Sequence, residues 1–221
     1  MTPDLLANID DYIEQLFVDD DNTLTANIAD AEAAGLPRIQ ISPNQGRLLY
    51  LLTKISGATR VLEIGTLGGY STTWLARALP QGGTVTTLEL AQKHADVARR
   101  NLERAGVAER VAIHVGPAAA TLQGFIDQRV EPFDFIFIDA EKPGYGGYLD
   151  LVMQLSRPGT VIAADNLIRN GAVMEQSPEE ANAVAARAFN AKLAAEPRLE
   201  SIILPIMRKT IDGMSISIVR P

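Results

Sequence analysis

Leu5, Ile9, Ile13 and Leu16 fall at helical spacing and predict a helix near the start of the chain. A second helical stretch runs from about Thr25 to Ala34, where Gly35 and Pro37 end it. Ser42-Pro43-Asn44-Gln45 then has the form of a capping box: a serine N-cap, a proline in the first helical position and a glutamine three residues past the cap. Leu48, Leu49, Leu52 and Ile55 supply the face this third helix is expected to bury.

From Arg60 the pattern changes to short apolar runs alternating with helical segments, the signature of a parallel sheet covered on both faces. The predicted strands are 60–64, 84–89, 110–115, 133–138 and 159–164, with helices near 70–79, 92–105, 117–127 and 145–156 between them. Ser177-Pro178-Glu179-Glu180 reads as a second capping box, introducing an alanine-rich helix that runs to about Ala195. Two further β-like runs, 200–206 and 214–219, lie either side of Asp212-Gly213, at a separation slightly long for a tight hairpin. They are expected to add an antiparallel edge. The whole is an open, doubly wound α/β sheet, and such sheets bind ligands beyond the carboxyl ends of their strands.

With 221 residues, 47% of them hydrophobic, the chain suits one domain: a helical segment over 1–58 and a Rossmann-like core over 59–221. No apolar run approaches the roughly 20 residues that span a bilayer, and the acidic start lacks a signal-peptide charge pattern, so a cytoplasmic location is expected. The absence of cysteine closes off disulfides, thiolate metal sites and cysteine nucleophiles. A net charge of −7 opposes binding to nucleic acid or anionic membranes and leaves small molecules as the expected partners.

The first predicted strand runs into Glu63-Ile64-Gly65-Thr66-Leu67-Gly68-Gly69-Tyr70-Ser71, three glycines in a strand-to-helix turn where a ligand can approach the backbone. Such a turn also occurs as a plain tight connection. Glu89 strengthens the ligand reading, because it ends the second strand 26 residues after Glu63, where a carboxylate can accept both hydroxyls of a ribose. No Walker lysine is present, and the spacing is not GxGxxG. Glu63 sets an anion where a pyrophosphate would be repelled, whereas a ligand carrying an ammonium and a sulfonium is suited to it. S-adenosylmethionine answers that description.

The fourth strand ends at Asp139, followed by Lys142, and the fifth at Asp165-Asn166. Neighbouring parallel strands lie about 4.8 Å apart, so their ends can bring two carboxylates and an amide oxygen together. Unaccompanied, the carboxylates would repel; a hard divalent ion such as Mg²⁺, or Mn²⁺ or Ca²⁺, removes that cost and leaves coordination positions for two adjacent substrate hydroxyls. The plainer reading is that these residues cap a turn and a helix. Lys142 by its spacing alone reads as a solvated lysine. His94, His114 and Trp74 read as structural, and Tyr145 and Tyr148 either line an acceptor pocket or pack at a helix surface.

Taken in order, ISPNQGRLL, RVLEIGTLGGYSTTWLA, TLE, FDFIFIDAEKPGY and GTVIAADN resemble the class I S-adenosylmethionine-dependent O-methyltransferases of the catechol and caffeoyl-CoA type, over roughly residues 38–219. The resemblance implies a seven-stranded sheet with an antiparallel final strand, and a homodimer. It implies that Glu63, Gly65, Thr66, Tyr70 and Ser71 surround the methionine part of the cofactor, that Glu89 holds the ribose, that Ala118 lies by the adenine, and that Ile41 covers the cofactor from the other side. By the same carry-over Asp139, Asp165 and Asn166 bind Mg²⁺, with Asp139 also beside the cofactor, and Asp139 and Lys142 are the catalytic residues, Lys142 assisting deprotonation of the accepting hydroxyl. The chain departs from the mammalian catechol enzyme at Ile206, near which that enzyme has a glutamate contacting the second substrate hydroxyl. Two other readings stay open: a non-catalytic nucleoside-binding regulatory protein, and a nicotinamide-dependent dehydrogenase.

Overall fold

The computed structural model describes residues 3–175, 178–208 and 210–221. Its strands form one seven-stranded sheet in the order β3-β2-β1-β4-β5-β7-β6, with β7 antiparallel to both its neighbours. The elements run in chain order as α1 (Pro3–Phe17), α2 (Asn22–Ala33), α3 (Pro43–Ile55), β1 (Arg60–Ile64), α4 (Tyr70–Ala78), β2 (Thr84–Glu89), α5 (Gln92–Arg104), β3 (Val111–Val115), α6 (Ala118–Asp127), β4 (Phe133–Ile138), α7 (Tyr145–Gln154), β5 (Ser156–Ala164), α8 (Ala181–Ala195), β6 (Leu199–Met207) and β7 (Ile211–Val219). Among the described residues no helix is long and apolar enough to cross a membrane. The chain packs as two compact units, Glu14–Thr121 and Leu122–Pro221 with the residues up to Ile13.

In the unit Glu14–Thr121, β1, β2 and β3 pair in parallel, with Glu63 opposite Thr87 and Glu89 opposite Val115. Val61, Leu62 and Ile64 are fully buried, which is why this strand reads as a continuous apolar run rather than an alternating one. The capping box of α3 is formed: the Gln45 N–H donates to Ser42 Oγ at 3.1 Å, and the Ser42 N–H donates to Gln45 Oε1 at 3.0 Å. The face this helix buries differs from the expected one. Gly46, Leu49 and Thr53 are buried, whereas Ile55 is 81% exposed. The cause is close packing against α4: a Cβ on Gly46 would sit 2.2 Å from Trp74 Nε1, so the small residue, not the largest apolar one, marks the contact line. Trp74 is a core residue, edge-on to Tyr50. In α1, whose residues up to Ile13 belong to the other unit, the buried line is likewise offset by one position, with Leu6 and Asp10 buried and Leu5 about half exposed.

In the unit containing Leu122–Pro221, β4 and β5 pair in parallel with Ile138 opposite Ala164, and β7 and then β6 extend the sheet antiparallel. The β6–β7 ladder continues to Met207 opposite Ile211, so the two strands make a close hairpin where a longer loop was expected. Asp212 and Gly213 therefore lie inside β7. The α8 helix begins at Ala181 with Glu180 in the N-cap position and no side-chain cap, three residues later than the predicted box would start it; Ser177, its expected cap, is outside the described residues.

Candidate functional site

The turn after β1 is shaped by backbone that only certain residues tolerate. Gly65 has φ +99° and Gly69, the N-cap of α4, φ +82°, both in the left-handed region that glycine adopts without a Cβ penalty. A Cβ on Gly69 would also meet Ala98 Cα at 3.3 Å, so the turn is pressed against α5.

Glu63 is fully buried just ahead of this turn. Its Oε1 accepts from Ser71 Oγ at 2.6 Å, and its Oε2 from Thr72 at 2.5 Å, Thr87 at 2.6 Å and Thr66 at 3.3 Å. Burial pushes its carboxyl pKa up, and the four hydroxyls pull it back toward the ionised form. Glu63 and Ser71 are thus bonded to one another and clamp the first turn of α4 to the end of β1. Sequence reasoning missed Thr72 and Thr87; the signal for Thr87 was its place opposite Glu63 in adjacent parallel strands.

Glu89, nearly buried at the end of β2, closes the same turn from the other side. Its Oε2 accepts the N–H groups of Leu67 at 2.9 Å and Thr66 at 3.3 Å, while its Oε1 accepts the Ala91 N–H at 3.0 Å and lies 3.2 Å from His94 Nδ1. His94 thus lies beside Glu89, where its ring can orient that carboxylate. Gly65, Thr66, Ser71, Glu63 and Glu89 are brought together; Tyr70 opens α4, buried, beside them. Ile41 and Ala118 stand on other elements, Ile41 buried just ahead of α3 and Ala118 half-buried as the first residue of α6.

In the unit containing Leu122–Pro221, Asp139 and Asp165 directly follow the paired ends of β4 and β5, and the Asp165 N–H donates to Ile138 O at 3.1 Å, carrying the pairing one step past the strands. Asp165 is 2% exposed. Burial, and then the charge of Asp139, push the Asp165 carboxyl up to about 7. Burial likewise raises Asp139, against the lowering effect of Lys142, and the charge of Asp212 raises both. Asn166 follows with φ +61°. Among the described residues no group of three or more His, Cys, Asp or Glu side chains forms a ready cation cage. The two carboxylates and the amide are all oxygen donors, and a buried carboxylate with a half-buried one beside it is a repulsion that a hard cation would relieve; the residues fit such an ion.

Lys142 is buried, not solvated as its spacing alone suggested. Its Nζ donates to Tyr145 Oη at 2.7 Å, Ala140 O at 3.0 Å and Asp139 Oδ1 at 3.3 Å. Tyr145 is fully buried, its hydroxyl donating toward Ile138 O at 3.1 Å and Asp165 O at 3.2 Å and its ring edge-on to Phe189. Tyr145 thus ties the ends of β4 and β5 together from the core. Tyr148 is also buried, donating its hydroxyl to the Glu141 carboxylate.

The profile of the O-methyltransferase family matches residues 16–218. The chain belongs to that family. Similar O-methyltransferases include a catechol O-methyltransferase of Niastella koreensis, 43% identical over 221 residues and 100% of both chains, and one of Mycobacterium tuberculosis, 45% identical over 214 residues and 96% of both chains. The structure of an O-methyltransferase from Bacillus cereus in complex with SAH is 43% identical and superposes with a TM-score of 0.95, over 99% of this chain and 100% of that one. The family's α/β sheet with its antiparallel end is thus the sheet observed. Sequence reasoning left Asp212 in a turn, because Asp-Gly is a turn signal and only the β6–β7 register reveals it as part of a strand.

Proposed function

We propose that this O-methyltransferase moves a methyl group from S-adenosylmethionine to a hydroxyl of a catechol-like, vicinal dihydroxy aromatic compound, with the help of Mg²⁺ or a similar divalent cation. The observation that carries the reading is the pair of carboxylates, Asp165 buried and Asp139 half-buried, at adjoining strand ends with Lys142 hydrogen-bonded beside Asp139. The SAH bound by the Bacillus cereus relative, the demethylated product of such a donor, and the catechol activity named for the two bacterial relatives support it.

In this reading Glu89 accepts the ribose hydroxyls, charge-assisted hydrogen bonds of about 1.5–3 kcal/mol each. Glu63 and Ser71 act by fixing the turn, while Gly65, Thr66 and Tyr70 line the methionine part of the cofactor, Ala118 the adenine and Ile41 its other side. Asp139, Asp165 and Asn166 hold the cation, which when bound stabilises the ionised oxygen of the acceptor. Lys142, held by Tyr145 and Ala140, presents Nζ as proton acceptor or electrostatic aid to the reacting hydroxyl. The protein is further proposed to be a cytoplasmic homodimer whose chain folds as a single domain.

A nicotinamide-dependent dehydrogenase is set aside by the family. A regulatory protein without catalysis would need Glu89 and the glycine turn but not the carboxylate pair. The test is methyl transfer to a panel of catechols, caffeoyl esters and flavonoids, followed by product mass in Mg²⁺ and in EDTA. Metal-dependent addition of one methyl to a vicinal diol is expected; no turnover on any member with S-adenosylmethionine bound would favour the regulatory reading.

A further inference from the structure

The segment after β5 holds unusual backbone. Asn166, Arg169 and Asn170 have φ of +61°, +52° and +51°, three residues with side chains in the left-handed region within five positions. Such backbone is strained and persists only where its surroundings over-determine it. The determining group is on another element. Asp212 Oδ1, in β7, accepts the N–H groups of Ile168 at 3.0 Å and Arg169 at 3.0 Å, and also that of Gly213 at 2.8 Å. The neighbouring Gly213 carbonyl accepts the Leu167 N–H at 2.9 Å, and Gly213 sits so tightly on Ile168 that a Cβ there would lie 2.6 Å from Ile168 Cγ1. Asn190 of α8 donates to Leu167 O at 2.8 Å.

We infer that Asp212 is a positioning residue for the proposed cation: it locks the loop that carries Asn166, so that the amide is held where Asp165 and Asp139 can share an ion with it. Asp212 reaches the cation through the loop, and its negative charge adds to the field of the two carboxylates. The inference rests on the divalent-cation reading above. The loop is anchored at three consecutive backbone positions, Leu167, Ile168 and Arg169, immediately after Asn166. Without those anchors the left-handed residues would relax toward commoner conformations and carry Asn166 away.

The test uses Mn²⁺ titrated calorimetrically into the full-length protein, with amide hydrogen exchange of the metal-free protein as a second readout. Asp212→Ala should weaken Mn²⁺ uptake at least tenfold and speed exchange at Ile168 and Arg169. Asp212→Asn, which keeps an oxygen acceptor for the same N–H groups, should stay within about threefold of wild type and keep its protection. Gly213→Ala, which leaves the carboxylate but drives a methyl into Ile168, should also weaken uptake, and it serves if Asp212→Ala fails to fold. Wild-type uptake with Asp212→Ala or Gly213→Ala unchanged overturns the role of Asp212; equal losses in Asp212→Ala and Asp212→Asn, with exchange unaltered in both, assign the effect to charge and overturn the positioning role as well. Wild-type protein that takes up no Mn²⁺ at all is a different result, defeating the cation reading and this inference with it.

Discussion

Two buried carboxylates in this protein are handled in opposite ways. Glu63 is surrounded by four hydroxyl donors from Thr66, Ser71, Thr72 and Thr87, so its charge is met inside the fold. Asp165 is raised first by its burial and then by the like charge of Asp139 close by, and its carboxyl rises to about 7. A carboxyl raised above its unfolded value stabilises the metal-free fold fully at low pH, and that contribution is lost as pH climbs through about 7. The proposed cation would compete with that proton. The gain in melting temperature on adding Mg²⁺ should therefore be small at pH 6 and clearly larger at pH 8, as differential scanning fluorimetry with and without metal would show. Equal gains at the two pH values would mean that Asp165 does not exchange a proton for the metal.

At the scale of elements, the packing of α3 on α4 depends on the absence of a side chain at Gly46. Gly46→Ala gains about 1 kcal/mol of helix propensity. Against this, the added methyl would lie 2.2–2.6 Å from three atoms of the buried Trp74 ring. Overpacking of a fixed ring costs about 1–3 kcal/mol and occasionally more, and contacts this short belong at the upper end. The substitution should destabilise the protein by about 2 kcal/mol, a fall of several degrees in melting temperature for a chain of this size. A melting temperature at or above wild type would show that Trp74 moves aside freely. The same contact explains what the sequence hid. Periodicity located α3 and its capping box, because both are written in local residue types. The rotation of the helix is set by its partner, and a glycine gives no hydrophobic signal; Ile55 consequently stands 81% exposed. Strand ends were legible for a related reason: Glu63, Glu89, Asp139 and Asp165 each interrupt an apolar run at the point where a buried parallel strand must stop or be compensated. Asp212 was not legible, since Asp-Gly names a turn locally and only the hairpin pairing of β6 with β7 places it in a strand.

At the scale of the molecule, the sheet order β3-β2-β1-β4-β5-β7-β6 carries two sets of polar residues at strand ends, with Glu63, Glu89, Lys142 and Asp165 among them buried, which a folding chain would otherwise avoid. The glycine turn with Glu63 and Glu89 is consistent with a nucleoside-bearing donor, and Asp139, Lys142, Asp165 and Asn166 with a cation-assisted acceptor. Family membership makes methyl transfer the chemistry of this chain, and the proposed cation-assisted form of it draws on both sets. The most direct measurement is transfer of labelled methyl from S-adenosylmethionine to catechol by wild type and by Asp139→Ala, each in EDTA and after Mg²⁺ is restored. The account predicts that wild type loses at least a hundredfold in EDTA and recovers fully, while Asp139→Ala, folded by circular dichroism, recovers nothing. Full activity of wild type in EDTA, or of Asp139→Ala in Mg²⁺, would contradict it.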